Sequence, residues 1–145
     1  CCAIPRLSVS SDVYFGCQNQ CDKQNKPDDR CCMMTCCFSH IGVIVNKTFD
    51  VGYLRHSFLL YVYGDMVWSD VINESVDFCY ERALTENIMA NQTLDCDAIP
   101  NYAYRVIDCV YARNYEHCPV ADWNLDASDH CAGTEKYVEK CLEWP

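Results

Sequence analysis

Cysteine is the residue type that offers the most chemistry in this sequence. The 145 residues include 14 cysteines, at positions 1, 2, 17, 21, 31, 32, 36, 37, 79, 96, 109, 118, 131 and 141. A cysteine can form a disulfide, bind a metal ion as a thiolate or act as a nucleophile. The even count allows every cysteine to pair, and this density is close to that of disulfide scaffolds. We therefore expect a disulfide-stapled protein.

The metal and nucleophile alternatives find little support in the positions of the histidines. His40, His56, His117 and His130 share no helical spacing that would direct them to one metal ion. His117 precedes Cys118, but adjacent residues on a helix do not face each other, so this pair does not form a nucleophile and its base. We expect no metal, no cofactor and no enzymatic activity.

Three glycosylation sequons and the net charge bear on where the protein acts. Sequons begin at Asn46, Asn73 and Asn91, and such sites are used in secreted proteins. Disulfides also persist outside the cell, so we expect a secreted, extracellular protein. The formal net charge of -10 argues against nucleic acid as a partner, because phosphate binding needs a basic surface.

One short segment resembles the start of the catalytic helix of calcium-dependent secreted phospholipases. That segment is Asp29-Arg30-Cys31-Cys32. The phospholipase reaction then needs a His–Asp pair, in which the histidine is the general base that activates a water molecule. Thr35 and Cys36 occupy these positions, and a glycine-rich calcium loop is missing. Ester hydrolysis by this route is therefore excluded.

Apolar residues at three- and four-residue steps predict an all-α protein with a single domain over residues 1–145. The first 26 residues are expected to be irregular. Helices are predicted over residues 27–45, 50–63 and 65–86, from 100 to Pro119, and in a short segment after Gly133. The apolar runs 43–45 and 58–63 have an alternative interpretation as short buried strands, but their flanks favour helix, and no sheet is expected.

The first predicted helix separates its sulfurs from its apolar face. At about 100° per residue, Cys32 and Cys36 lie on one side, while Cys31 and Cys37 point away to either side. Apolar side chains from Met34 to Val45 share the opposite side. Such a helix would be stapled on one face and apolar on the other, which would let disulfides hold helices apart around a cavity.

Three cysteine spacings together resemble the six-cysteine framework of insect odorant-binding proteins. Three residues separate Cys32 from Cys36, 42 separate Cys36 from Cys79, and eight separate Cys109 from Cys118. The extra Cys96, Cys131 and Cys141, with the Cys118-Pro119 pair, are similar to the Plus-C branch of that family. The resemblance covers most of the chain, from about Cys17 to Cys141.

This resemblance implies a fold and a set of disulfides. The fold would be a disulfide-rich bundle of about six to eight short helices around an internal apolar cavity, with residues 119–145 as a C-terminal extension packed on the core. The implied pairs are Cys32–Cys109 and Cys79–Cys118. Cys36 would pair with the first framework cysteine, which is Cys17 or Cys21 close to the first helix, or Cys1 or Cys2 further back.

The resemblance also implies a function and a site. The protein would carry odorants or similar volatiles in a sensillar-lymph-like fluid and deliver them to a membrane chemoreceptor, as a monomer or a homodimer. Tyr104 and Tyr111 are candidates to orient a ligand by their hydroxyl groups. The predicted ligand-binding residues, taken mainly from the apolar stripes, are Met34, Phe38, Ile41, Leu54, Phe58, Val62, Trp68, Val71, Ile72, Tyr104, Ile107, Val110, Tyr111 and Trp123.

Ordinary core packing would place most of these side chains in the same positions, because core residues and cavity walls have the same apolar pattern. The sequence therefore leaves a second hypothesis open. In that hypothesis the protein is a secreted, disulfide-rich structural or interaction module with a solid core.

Overall fold

A computed structural model describes residues 2–25, 30–46, 48–85 and 102–122. Within these ranges the protein is mostly helical and rich in disulfides. Five α-helices, a two-stranded hairpin and one 3-10 turn follow one another in the order α1 (Ser11–Lys23), α2 (Arg30–His40), β1 (Ile44–Val45), β2 (Thr48–Phe49), α3 (Val51–Tyr61), α4 (Met66–Thr85), α5 (Tyr102–Glu116) and Val120–Asp122.

Helix α1 occupies a segment that was expected to be irregular, so that expectation is wrong. The Ser10 hydroxyl caps the helix by accepting a hydrogen bond from the Val13 backbone N–H at 3.3 Å. The only buried residues of α1 are Cys17 and Cys21, which lie one helical turn apart. Disulfides to α2, and not a buried apolar face, hold α1 in place. Its sequence therefore lacks the apolar periodicity by which a helix is usually recognised.

Helix α2 is shorter than predicted, because it ends at His40 and gives way to a β-hairpin. Gly42 has a φ of +81°, a left-handed conformation that stops a helix. The chain then turns at Asn46, whose φ of +51° suits a two-residue hairpin turn between β1 and β2. The expectation that no sheet forms is therefore wrong, and the strand interpretation of residues 43–45 holds for Ile44 and Val45.

The predicted starts of α3 and α4 agree with the structure. Asp50 caps α3, since its carboxylate accepts a hydrogen bond from the Tyr53 backbone N–H at 2.8 Å. Asp65 does the same for Trp68 at 3.0 Å, one residue before α4 begins. A carboxylate at this position satisfies a backbone donor that the helix itself leaves unpaired. The last predicted helix, after Gly133, lies outside the described residues.

Four disulfides join the elements in the described part of the chain. Two of them, Cys17–Cys36 and Cys21–Cys32, tie α1 to α2. Cys79–Cys109 joins α4 to α5, and Cys2–Cys118 joins the N-terminal segment to the residues that follow α5. Each of the described helices other than α3 is therefore held by at least one disulfide. The predicted disulfide cysteines Cys96, Cys131 and Cys141 lie outside the described residues.

Two of the disulfides implied by the resemblance are wrong. Cys32 bonds to Cys21 and not to Cys109, because one face of α2 lies against α1. Cys109 instead faces α4 and bonds to Cys79, since α4 and α5 pack along each other. Cys118 is thereby available to Cys2. The pairing of Cys36 with Cys17 is one of the alternatives that the sequence left open.

Helices α3, α4 and α5 enclose a single apolar cluster with the hairpin and the apolar face of α2. Leu54, Phe58, Ile72, Val76 and Val106 are fully buried in it. Cys32 and Cys36 bond to α1, while Phe38, which the sequence placed on the opposite face of α2, is buried in this cluster. In the described ranges, no helix has both the length and the hydropathy needed to cross a bilayer.

Candidate functional site

A groove of about 330 Å³ runs between the N-terminal segment and the outer face of α3. Arg6, Leu7 and Ser8 form one wall, Ile41 lies at the end of α2, and α3 contributes the opposite wall. The α3 residues are Ser57, Leu60 and Tyr61, which recur at three- and four-residue steps on one side of the helix. The volume is at the lower end of that of small-molecule sites, which is roughly 300–1,000 Å³.

Several interactions hold the N-terminal wall of the groove in place. The Cys2–Cys118 disulfide anchors the start of the segment, where Ile4 is also buried. The Leu7 backbone N–H donates a hydrogen bond to the Tyr111 hydroxyl at 3.0 Å. The Tyr111 ring in turn packs edge-on against Phe58, with ring centroids 5.6 Å apart. The wall is therefore connected both covalently and by packing to the core.

The groove combines apolar side chains with polar groups that can donate hydrogen bonds. Leu7, Ile41 and Leu60 supply the apolar surface, and Arg6 is the charged residue among the seven that line it. The Ser57 hydroxyl already donates to the Tyr53 carbonyl at 2.9 Å, so it can only accept from a ligand. Because Arg6 is the charged residue among them, the lining residues carry a net positive charge, although the chain has ten more acidic than basic residues.

Most of the predicted ligand-binding residues are brought together, but as part of the core cluster. Eight are buried in the cluster and five are partly buried against it, the latter being Met34, Ile41, Val71, Tyr104 and Tyr111. Among these thirteen, Ile41 also lines the groove. Trp123 lies outside the described residues. The prediction thus located the apolar centre of the protein, and a ligand cavity within it stays a prediction.

The two tyrosines that were predicted to orient a ligand are both engaged with the protein. The Tyr111 hydroxyl accepts the hydrogen bond from Leu7, and burial raises the pKa of this phenol despite that bond and the nearby Arg6 charge. The Tyr104 ring packs against Phe38 at a centroid distance of 6.1 Å. In this structure Tyr111 therefore positions the groove wall and does not line the groove.

Little in the sequence pointed to the other lining residues. Arg6, Leu7 and Ser8 belong to a segment without periodicity, and their position depends on a disulfide that spans 116 residues. Leu60 and Tyr61 are different, because they belong to the apolar run 58–63. Six consecutive residues of a helix point in all directions, so they cannot all lie on its buried face. Such a run on an amphipathic helix must leave some apolar residues exposed, and this pattern could have indicated a binding surface on α3.

One cluster of cysteine and histidine side chains comes together in the described part of the chain, but it does not form a thiolate metal site there. The sulfurs of Cys17 and Cys36 and an imidazole nitrogen of His40 lie within 4.8 Å of one another. However, the two sulfurs are bonded to each other, and a disulfide sulfur is not a thiolate ligand. Cys37 is a free buried thiol, and burial raises its pKa, which disfavours the nucleophilic thiolate.

Two polar side chains in the described part of the chain are buried without a hydrogen-bond partner. Asn114 on α5 is 0% exposed, and neither its amide nitrogen nor its carbonyl oxygen forms a hydrogen bond. The buried hydroxyl of Ser75 on α4 is likewise without a bond. Such groups are rare in native proteins, since each unpaired buried donor or acceptor costs about 1–3 kcal/mol. Asn114 is therefore a position where the local sequence opposes the stability of the fold.

Comparison with known proteins does not identify a relative. No family model matches the chain, and no curated protein or solved structure matches it significantly. The resemblance to insect odorant-binding proteins therefore stays a prediction that depends on the cysteine spacing.

Proposed function

We propose that this protein is an extracellular carrier of small hydrophobic molecules. The observation that carries the proposal is the groove, in which apolar side chains from three separate segments face a common space of about 330 Å³. Burying apolar ligand surface is favourable by about 25 cal/mol per Å², so a groove of this kind can hold an apolar molecule without a charged or covalent contact. The cargo would be an odorant or a similar volatile, to be delivered to a chemosensory receptor.

The disulfides support a carrier because they keep the binding surface formed when it is empty. The N-terminal wall is covalently fixed through Cys2–Cys118, so little ordering has to accompany ligand binding. Four disulfides in the described part of the chain also suit an oxidising environment, which supports secretion. We propose no catalytic step, because Cys36, at one of the two catalytic positions of the phospholipase pattern, is bonded to Cys17.

A displacement experiment tests the proposal. A neutral fluorescent naphthylamine probe is expected to bind the oxidised protein with a micromolar dissociation constant and to be displaced by ten-carbon alcohols and aldehydes. The variant Leu60→Gln should weaken probe binding, because it places an amide on the apolar wall of the groove. Leu60 is 60% exposed, so this substitution should leave the fold intact.

Leu84→Gln is the matched control. Leu84 is also on a helix and 45% exposed, but it lies on α4 and does not line the groove. Equal probe affinity of both variants and the wild type would argue against the groove as the site. A correctly oxidised protein that binds no neutral probe would argue against the carrier function as a whole.

A second candidate function is an interaction module, favoured by an exposed apolar surface at the turn between α3 and α4. Tyr63 is 92% exposed and Met66 is 74% exposed, and Leu60, Tyr61 and Val67 are exposed around them. Exposed apolar residues grouped in this way are typical of contact surfaces. If this surface mediates association, Tyr63→Ser with Met66→Ser should lower the sedimentation coefficient at high protein concentration, whereas a carrier acting as a monomer should show no change.

A further inference from the structure

The groove is lined by polar groups as well as apolar side chains, and a purely apolar cargo would make no use of those polar groups. Arg6 carries a positive charge and forms no ion pair in the described ranges of the chain. The Ser8 and Tyr61 hydroxyls also have no bonded partner there. A guanidinium and two free hydroxyls can all donate hydrogen bonds, whereas the lining residues include no carboxylate. The groove therefore favours a ligand with a negatively charged acceptor.

The backbone on both sides of Arg6 is fixed, so its side chain starts from a defined position on the groove wall. Pro5 precedes it with a restricted φ and a fully buried side chain, and the Leu7 N–H that follows is bonded to the Tyr111 hydroxyl. The Arg6 charge is close enough to Tyr111 to lower the pKa of that phenol, although burial raises it by more. Arg6 thus lines the groove next to the point where Leu7 is bonded to the core.

The apolar side chains define the other part of the ligand. Leu7, Ile41 and Leu60 offer hydrocarbon surface, while the small volume limits the ligand to a short body. We propose that the groove binds a small amphiphile that has a carboxylate head at Arg6 and a short alkyl or aryl body against these residues. The planar fork of a guanidinium matches a carboxylate with two parallel hydrogen bonds. This inference rests on the proposed carrier function and names its ligand class.

Paired ligands that differ only in the head group test the inference. Decanoate and 1-decanol share a ten-carbon chain, and each is titrated against a bound neutral fluorescent probe at pH 7.5. The wild type should bind decanoate about three- to tenfold more tightly, because an exposed ion pair with good geometry contributes on the order of 1 kcal/mol. Raising the salt concentration should reduce this ratio, since the Debye length falls from about 10 Å at 0.1 M to about 3 Å at 1 M.

Substitution of Arg6 separates the head-group contact from the apolar contact. Arg6→Gln should bring the decanoate-to-decanol ratio close to one. Arg6→Lys should keep part of the preference. Lys23→Gln on α1 removes the same charge from an exposed position outside the groove, so it should leave the ratio unchanged.

The outcomes distinguish this inference from the proposed function. If decanol and the probe bind while decanoate shows no preference, or if the preference survives Arg6→Gln, the carboxylate assignment is overturned and the carrier function stands. A loss of preference in Lys23→Gln as large as that in Arg6→Gln would mean that net charge is responsible, and would overturn the assignment to the groove. If neither ligand nor probe binds, both proposals are overturned.

Discussion

Replacing Cys2 and Cys118 together by alanine should destabilise the protein and disrupt the groove. The disulfide between them spans 116 residues, but Cys17–Cys36 and Cys79–Cys109 shorten the path through the unfolded chain. With those bridges intact, the loop closed by Cys2–Cys118 contains roughly 70 residues, for which chain entropy gives about 4 kcal/mol. The free energy of unfolding should therefore fall by about 4 kcal/mol.

The N-terminal segment should also detach from the core in this variant. Fixing the backbone of residues 2–8 costs on the order of 10 kcal/mol, at about 1–2 kcal/mol per residue. In return, the buried Ile4 contributes about 2–3 kcal/mol, and the hydrogen bonds from Leu7 to Tyr111 and from Ala3 to the Asp122 carbonyl contribute about 1 kcal/mol each. Without the disulfide these gains are too small, so one wall of the groove is lost.

Urea unfolding and probe titration measure the two effects separately. The matched control is the variant in which Cys17 and Cys36 are both alanine, whose disulfide spans 19 residues. With Cys21–Cys32 intact, the closed loop contains roughly ten residues, so that change should cost about 2.5–3 kcal/mol but should leave the groove intact. The reasoning would be refuted if the Cys2 and Cys118 variant bound a neutral probe as tightly as the control, or if its stability fell by less than 1 kcal/mol.

Three further substitutions test local features of the fold. Gly42→Ala should lower the free energy of unfolding in urea by about 1–2 kcal/mol, because the left-handed φ disfavours a Cβ and this Cβ would contact a tyrosine ring at 3.0 Å. Gly16→Ala on α1 has open space around it and should raise the free energy of unfolding by about 0.5–1 kcal/mol. Equal effects of the two would contradict this account of the turn. Asn114→Leu should raise the free energy of unfolding by about 1–3 kcal/mol, since it removes two unpaired polar atoms from the protein interior. A lower free energy of unfolding would contradict this and would mean that the Asn114 amide has a hydrogen-bond partner. In a secretory host, a glycan should be found by mass spectrometry at Asn46, which is exposed in a hairpin turn. No glycan is expected at Asn73, because it lies on helix α4 and its side chain accepts a hydrogen bond from Arg55 on α3. Full occupancy at Asn73 would show that this sequon is modified before the helix forms.

Features that depend on neighbouring residues were read correctly from the sequence. Asp50 and Asp65 were expected at the starts of α3 and α4, and each caps its helix through a backbone N–H three residues later. The helical spacing of Leu54 and Phe58, or of Ile72 and Val76, directed these side chains to a common core. Local hydrogen bonding and the 3.6-residue period determine such features, so they leave a pattern in the sequence.

Features that depend on distant residues were not available from the sequence. Helix α1 is buried through Cys17 and Cys21, and the partners of these sulfurs are set by how α1 lies against α2. Many pairings of fourteen cysteines are compatible with one set of spacings, and only tertiary contact selects among them. This is why the framework spacing suggested Cys32–Cys109 where the chain forms Cys21–Cys32.

By itself, the sequence determined a mostly helical, disulfide-rich chain and the apolar residues that make its core. Only the tertiary structure decided that Arg6 and Leu7 face Leu60 across a groove. The physical reason is that periodicity specifies which side of a helix is apolar, but not which irregular segment covers the opposite side. Here that choice depends on the covalent bond between Cys2 and Cys118, which joins residues that are 116 positions apart.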